Sequence, residues 1–110
     1  MELAFETVAL RLVCESDTEA RKRYPAGAVD ELQARLADIR AATSASDLVV
    51  CAPSVDLQPP GCIRFSLSGG LELVCACNHP SPPLTHAGLV NLDRVRQVRV
   101  VTISEEYPNE

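Results

Sequence analysis

Two alternating runs that meet at a glycine pair constrain this chain more than any other feature. Ile63, Phe65 and Leu67 alternate with Arg64 and Ser66; Ser68-Gly69-Gly70 follows; then Leu71, Leu73, Cys75 and Cys77 alternate with Glu72, Val74 and Ala76. Alternation of period two marks a strand with one buried face, and glycines supply the positive φ of a tight reversal. A three-residue loop sets Leu67 against Leu71, Phe65 against Leu73 and Ile63 against Cys75, whereas a two-residue Gly-Gly turn would set Leu67 against Glu72 and mix the faces. A one-residue slip turns every side chain over, so burial selects the first register. Cys75 and Cys77 then point into the core with Leu71 and Leu73, and Glu72 lies on the open face.

The segment before the hairpin is helical. Val29, Leu32, Leu36 and Ile39 recur at intervals of three and four between Gly27 and Ala42, with Arg35, Asp38 and Arg40 on other faces and Glu31 four residues before Arg35. Pro25 and Gly27 punctuate its start and Thr43-Ser44-Ala45-Ser46 its end. Upstream, Ser16 stands three residues ahead of Glu19, the capping-box spacing, which opens a helical segment through about Tyr24. Residues 2–14 fit both periods: Val8, Leu10, Leu12 and Cys14 alternate as in a strand, while Val8, Leu12 and Val13 suit a helix. Residues 78–95 hold three prolines and two histidines, His79 and His86, and read as an irregular connection with a helical turn at Asn91–Val95. Val98, Val100 and Thr102 alternate with Arg99, Val101 and Ile103 in a last strand, and residues 105–110 form a polar tail. The expectation is one α+β domain over 1–110: two N-terminal helices packed on one face of a small, mainly antiparallel sheet.

Composition narrows the function classes. The 110 residues carry a formal charge of −5, and the charge is not segregated: residues 1–47 hold six basic and nine acidic side chains, residues 48–110 four and six. Proteins that grip phosphate backbones concentrate Lys and Arg on one surface, so this distribution argues against strong nucleic-acid binding. No run of 18 apolar residues occurs and Met1-Glu2 opens on an acid, which predicts no membrane span, no signal peptide and a cytoplasmic address. Five cysteines, at 14, 51, 62, 75 and 77, are an odd number in such a chain and read as reduced thiols that pack as small hydrophobes. Cys75-x-Cys77 with His79 beyond it offers no second pair and no fourth ligand, so no metal is expected.

In this order, the helical segments, the "FSLSGGLEL" hairpin and the "VRVVTI" strand resemble the RelE/ParE superfamily, specifically its HigB-like plasmid-maintenance killer branch. The resemblance covers nearly the whole chain. It rests on "MELAF" followed by "LRLVCESDTEARKRY", on "LQARLADIRAATSASDL", on "GCIRFSLSGGLELV" and on "GLVNLDRVRQVRVVTI", with "LADIRAATSASDL" the most specific phrase. It implies a short first strand near residues 2–6 with a helix after it. It further implies the toxin of a type II toxin–antitoxin system, a ribosome-dependent mRNA endoribonuclease whose partners are a cognate antitoxin protein, the ribosome and mRNA, with no cofactor. Such cleavage needs cations at the scissile phosphate and a group that activates the ribose 2′-hydroxyl.

The residues that carry this chemistry depart from the family. Glu72 stands where the family has an arginine, Val55-Asp56-Leu57-Gln58-Pro59-Pro60 replaces a basic phrase before the hairpin, and Glu105-Glu106-Tyr107-Pro108 keeps a tyrosine but loses the family's histidine. The resemblance leaves Arg99, which matches the arginine of the family's final strand, and Tyr107 as catalytic candidates. Arg64 and the run Arg21-Lys22-Arg23 are the candidates for nucleic-acid contact. Against each stands a plainer reading: Arg64 and Glu72 as a surface ion pair, Arg99 as a solvated strand residue, the basic run as a helix end complementing the dipole, and both histidines as solvated. Three functions follow: an endoribonuclease toxin with weakened or lost activity, a catalytically inactive protein-binding module on the same fold, or a redox or metal sensor built on Cys62, Cys75 and Cys77.

Overall fold

The computed structural model describes residues 1–51 and 53–105. β1 (Glu2–Phe5) opens the chain and α1 (Val8–Glu15) follows, so residues 2–14 divide into a short strand and a helix. Thr7 makes the division: its hydroxyl accepts the Leu10 N–H at 3.1 Å, satisfying one of the donors that a helix start leaves orphaned. Ser16 then separates α1 from α2 (Asp17–Arg23). Extended in backbone, it donates its N–H to the Leu12 carbonyl and accepts the Glu19 N–H on its hydroxyl. The capping box expected at Ser16 thus opens α2, and the same residue ends α1, its side chain competing with a continuing helix. α3 (Ala26–Ala41) starts directly after Pro25 and buries Val29, Leu32, Leu36 and Ile39, the stripe its sequence spacing predicts.

Five strands form one sheet in the order β1-β5-β4-β3-β2, where β2 is Ser54–Asp56, β3 Cys62–Leu67, β4 Leu71–Cys77 and β5 Gln97–Glu105. β1 runs parallel to β5 and every other pair is antiparallel. The hairpin register has Leu67 opposite Leu71, Phe65 opposite Leu73 and Ile63 opposite Cys75, as burial requires. Leu32, Leu36 and Ile39 share one core with Ile63, Phe65, Leu73, Cys75, Val98 and Val100, so the helices cover one face of the sheet, an α+β arrangement. Each such side chain contributes roughly 1.5–3 kcal/mol on burial, more than any cap in the helical layer.

Four details escape the sequence pattern. The short edge strand β2, all three of whose residues are exposed, has no alternation to announce it. In β5 the register slips: Cys75 faces Val100 but Val74 faces Thr102, leaving Val101 without a ladder partner. That bulge puts Ile103, rather than Thr102, opposite Leu73 and against the core. On the open face, Val74 and Ala76 are buried all the same, because these small side chains lie in the middle of the sheet between Arg64 and Thr102 and between Cys62 and Arg99. Glu31 does not pair with Arg35. Its carboxylate accepts both the N–H and the hydroxyl of Ser68 in the hairpin turn, the latter at 2.8 Å, and Arg35 turns to Asp38 at 3.0 Å.

The connection from β4 to β5 is irregular but tied down. Leu84 and Val90 form an isolated antiparallel bridge, the Val90 N–H donates to Leu57 O at 2.8 Å, and one 3-10 turn spans Leu92–Arg94. Val90 and Val95 anchor it by burial.

Candidate functional site

The face of the sheet away from the helices carries the residues that sequence singled out. Arg99 projects from β5 beside Ala4 of β1 and Ala76 of β4; Arg64 projects from β3 opposite Val74; Glu72 of β4 lies between Ser66 and Ser104. Neither arginine is solvated alone. The Arg64 Nη1 donates to Glu72 Oε1 at 2.9 Å, the diagonal cross-strand pair that the hairpin register brings together, and the Glu72 side chain is only 16% exposed. The Arg99 Nε donates to Glu6 Oε2 at 2.6 Å, a partner the sequence reading of Arg99 as a solvated strand residue does not include. Glu6 reaches that position because the parallel β1–β5 pairing continues one residue past β1, where the Glu6 N–H donates to the Val100 carbonyl at 2.8 Å. No local signal marks Glu6 as a partner of a residue 93 positions away.

Charge-assisted hydrogen bonds of this length are worth about 1.5–3 kcal/mol when desolvated and about 1 kcal/mol or less when exposed. Each carboxylate takes one N–H of its guanidinium and offsets its charge, so a phosphate approaching either arginine meets a repelling carboxylate beside it. The two arginines of the open face are thus offset by carboxylates, among hydroxyls and small side chains, and Glu2 and Asp56, on the same face by strand parity, add negative charge.

The other candidates do not join this face. Arg21 pairs with Asp17 at 2.7 Å and Asp30 at 2.8 Å, and Lys22 with Glu19 at 3.1 Å. Arg23 makes no ion pair among the described residues, and all three belong to α2, in the helical layer on the far side of the sheet. Tyr107 lies outside the described residues. The His79 Nε2 accepts the Arg96 N–H at 3.3 Å.

The cysteines divide by strand parity. Cys75 and Cys77 are buried in the core, while Cys62, partly buried, lies opposite Ala76, so the ladder places Cys62 on the other face of the sheet from both. Burial pushes the Cys75 thiol up to about 12 and the Cys14 thiol up to about 11. Cys51 is also raised, by burial and by donating its thiol hydrogen to Asp38 Oδ2 at 3.4 Å. Neutral thiols are poor nucleophiles and poor metal ligands. Among the described residues no group of three or more His, Cys, Asp or Glu side chains could hold a metal ion, and no helix is long and apolar enough to cross a membrane.

No family model, curated protein or solved structure matches this chain.

Proposed function

We propose that this chain is a HigB-like, RelE/ParE-type protein whose nuclease chemistry is lost and which acts in the cytoplasm by holding a protein partner of the antitoxin class. One observation carries the reading: both guanidinium groups of the open sheet face are paired with carboxylates, Arg64 with Glu72 and Arg99 with Glu6. A cleavage site stabilises developing charge on the phosphate with net positive potential, and a carboxylate held against each cation cancels much of that potential. The order of a short strand, helices, a hairpin and a last strand agrees with what the resemblance implies. A surface of hydroxyls and ion pairs without net positive charge suits a protein contact, where the demand is complementarity.

The test is induced expression in a bacterial host, native chain beside the double variant Glu6→Gln, Glu72→Arg, with growth and ribosome-associated mRNA followed together. The native chain is expected to leave both unchanged. Growth arrest with ribosome-dependent cleavage by the native chain would sink the proposal and restore the endoribonuclease reading. Calorimetry against the helix-turn-helix protein of an adjoining reading frame tests the binding half; a Kd weaker than about 100 µM would count against it.

A further inference from the structure

Apart from the open sheet face, the β4–β5 connection forms a groove of about 510 Å³ lined by Leu84, Thr85, His86, Asn91 and Arg94. Its polar chemistry is one-sided. The Asn91 Oδ1 already accepts the Asp93 N–H at 3.2 Å, which fixes the amide and leaves its NH₂ group to donate. The Thr85 Oγ1 already accepts the Leu89 N–H at 3.4 Å, leaving the hydroxyl hydrogen. The Arg94 guanidinium has no ion pair among the described residues, and His86 adds an imidazole to the lining. No carboxylate lines the groove, in a chain whose open-face arginines are both matched by one. The loop's own backbone N–H groups occupy the Thr85 and Asn91 side-chain oxygens, and the lining still carries the Thr85 hydroxyl hydrogen, the Asn91 NH₂ group and the Arg94 guanidinium as donors.

The walls are held before any ligand arrives. Thr85 N–H donates to Leu89 O at 2.7 Å, Asn91 N–H to Pro83 O at 2.8 Å and Arg94 N–H to Asn91 O at 3.0 Å, while buried Val90 and Val95 fix the ends to the core. A pre-formed wall spares a ligand the entropy of ordering it. Leu84, 48% exposed, supplies one apolar wall.

We propose that this groove binds a phosphate monoester with an organic body about the size of a nucleoside. Several convergent donors including a guanidinium fork match a group with three terminal acceptor oxygens. A bare phosphate would leave most of the volume and the Leu84 wall unused, and the volume lies within the usual range for small-molecule sites. The proposal does not depend on the reading of the open sheet face.

The test titrates the full chain with adenosine 5′-monophosphate, inorganic phosphate and adenosine at constant ionic strength, following backbone amide shifts by NMR. Adenosine monophosphate is expected to give saturable shifts confined to residues 84–94, phosphate weaker shifts at the same amides, and adenosine none. Arg94→Gln, which removes no side-chain bond among the described residues, should weaken binding about tenfold or more, while Arg40→Gln, the same charge change elsewhere, should leave it intact. The proposal is overturned by equal shifts with adenosine, by phosphate binding as tightly as the monophosphate, by equal losses in the two variants, or by no saturation up to about 10 mM.

Discussion

Gly61 sits where the segment before the hairpin turns into β3, and replacing it with alanine separates two costs that are usually confounded. Its N–H donates to Gln58 O at 2.8 Å and its carbonyl accepts the Cys77 N–H at 3.1 Å, so the backbone cannot swing aside without breaking the start of the ladder. With φ at +87, any Cβ meets the left-handed penalty, about 1 kcal/mol. That Cβ would also lie 3.0 Å from Val90 Cγ2 and 3.1 Å from Cys77 Sγ, both on buried side chains with little room to yield. Overpacking of this kind costs about 1–3 kcal/mol, for a total of about 2–4 kcal/mol. Gly70 is the internal control: its φ is +74 and nothing lies within 4 Å of its Cβ position, so alanine there meets the backbone penalty alone. Urea unfolding should therefore place Gly61→Ala about 1–3 kcal/mol below Gly70→Ala with unchanged m-values. In a melt, the Gly61 variant should lose roughly 8–16 °C, taking about 4 °C per kcal/mol for this chain length. Equal destabilisation by the two variants, within about 0.5 kcal/mol, would refute the packing of Val90 and Cys77 against Gly61, and with it the anchoring of the loop that shapes the groove.

Thiol alkylation at pH 8 should leave Cys14 and Cys75 unmodified in the folded chain and modify both in denaturant, as peptide mass spectrometry would record; rapid native labelling of Cys75 would contradict its burial. The Ser68 N–H and hydroxyl hold the Glu31 carboxyl below the usual carboxylate range. A group with a lowered folded pKa contributes stability that is full above its unfolded value and is lost as pH falls through the folded one. The stability gap between the native chain and Glu31→Gln should accordingly be open at neutral pH and close below about pH 4, measured by denaturant unfolding across pH. A gap that persists unchanged in acid would mean that the carboxylate's charge does not carry the clamp.

Much of this molecule is set by local pattern. The hairpin register follows from Ile63, Phe65, Leu67, Leu71, Leu73 and Cys75 because strand parity allows only one arrangement that buries them together. The α3 stripe follows from 3.6-residue spacing, and the Ser16 cap from a hydroxyl three residues ahead of Glu19. Even the diagonal Arg64–Glu72 pair was legible, since the register that buries the leucines also brings these charges within reach. The core position of Cys75 and Cys77 came with it.

What sequence could not decide depends on contacts between segments far apart in the chain. Arg99 looked solvated because its partner, Glu6, arrives only through the parallel pairing of the first and last strands. Glu31 had an equally good partner four residues away in Arg35, yet Ser68 offers two donors from a turn already fixed in place, and a bidentate hold on a pre-formed turn outcompetes one flexible side chain. The bulge at Val101 obeys the core's preference for Ile103 over Thr102, which strict alternation hides. The groove is the same kind of product: residues 78–95 read as an irregular, proline-rich connection, and only the Leu84–Val90 bridge and the loop's own N–H groups shape and orient its lining. Periodicity is a property of neighbours along the chain and sets what each segment buries; pairing of charges and donors is a property of neighbours in space, and only the folded sheet and its loops assign it.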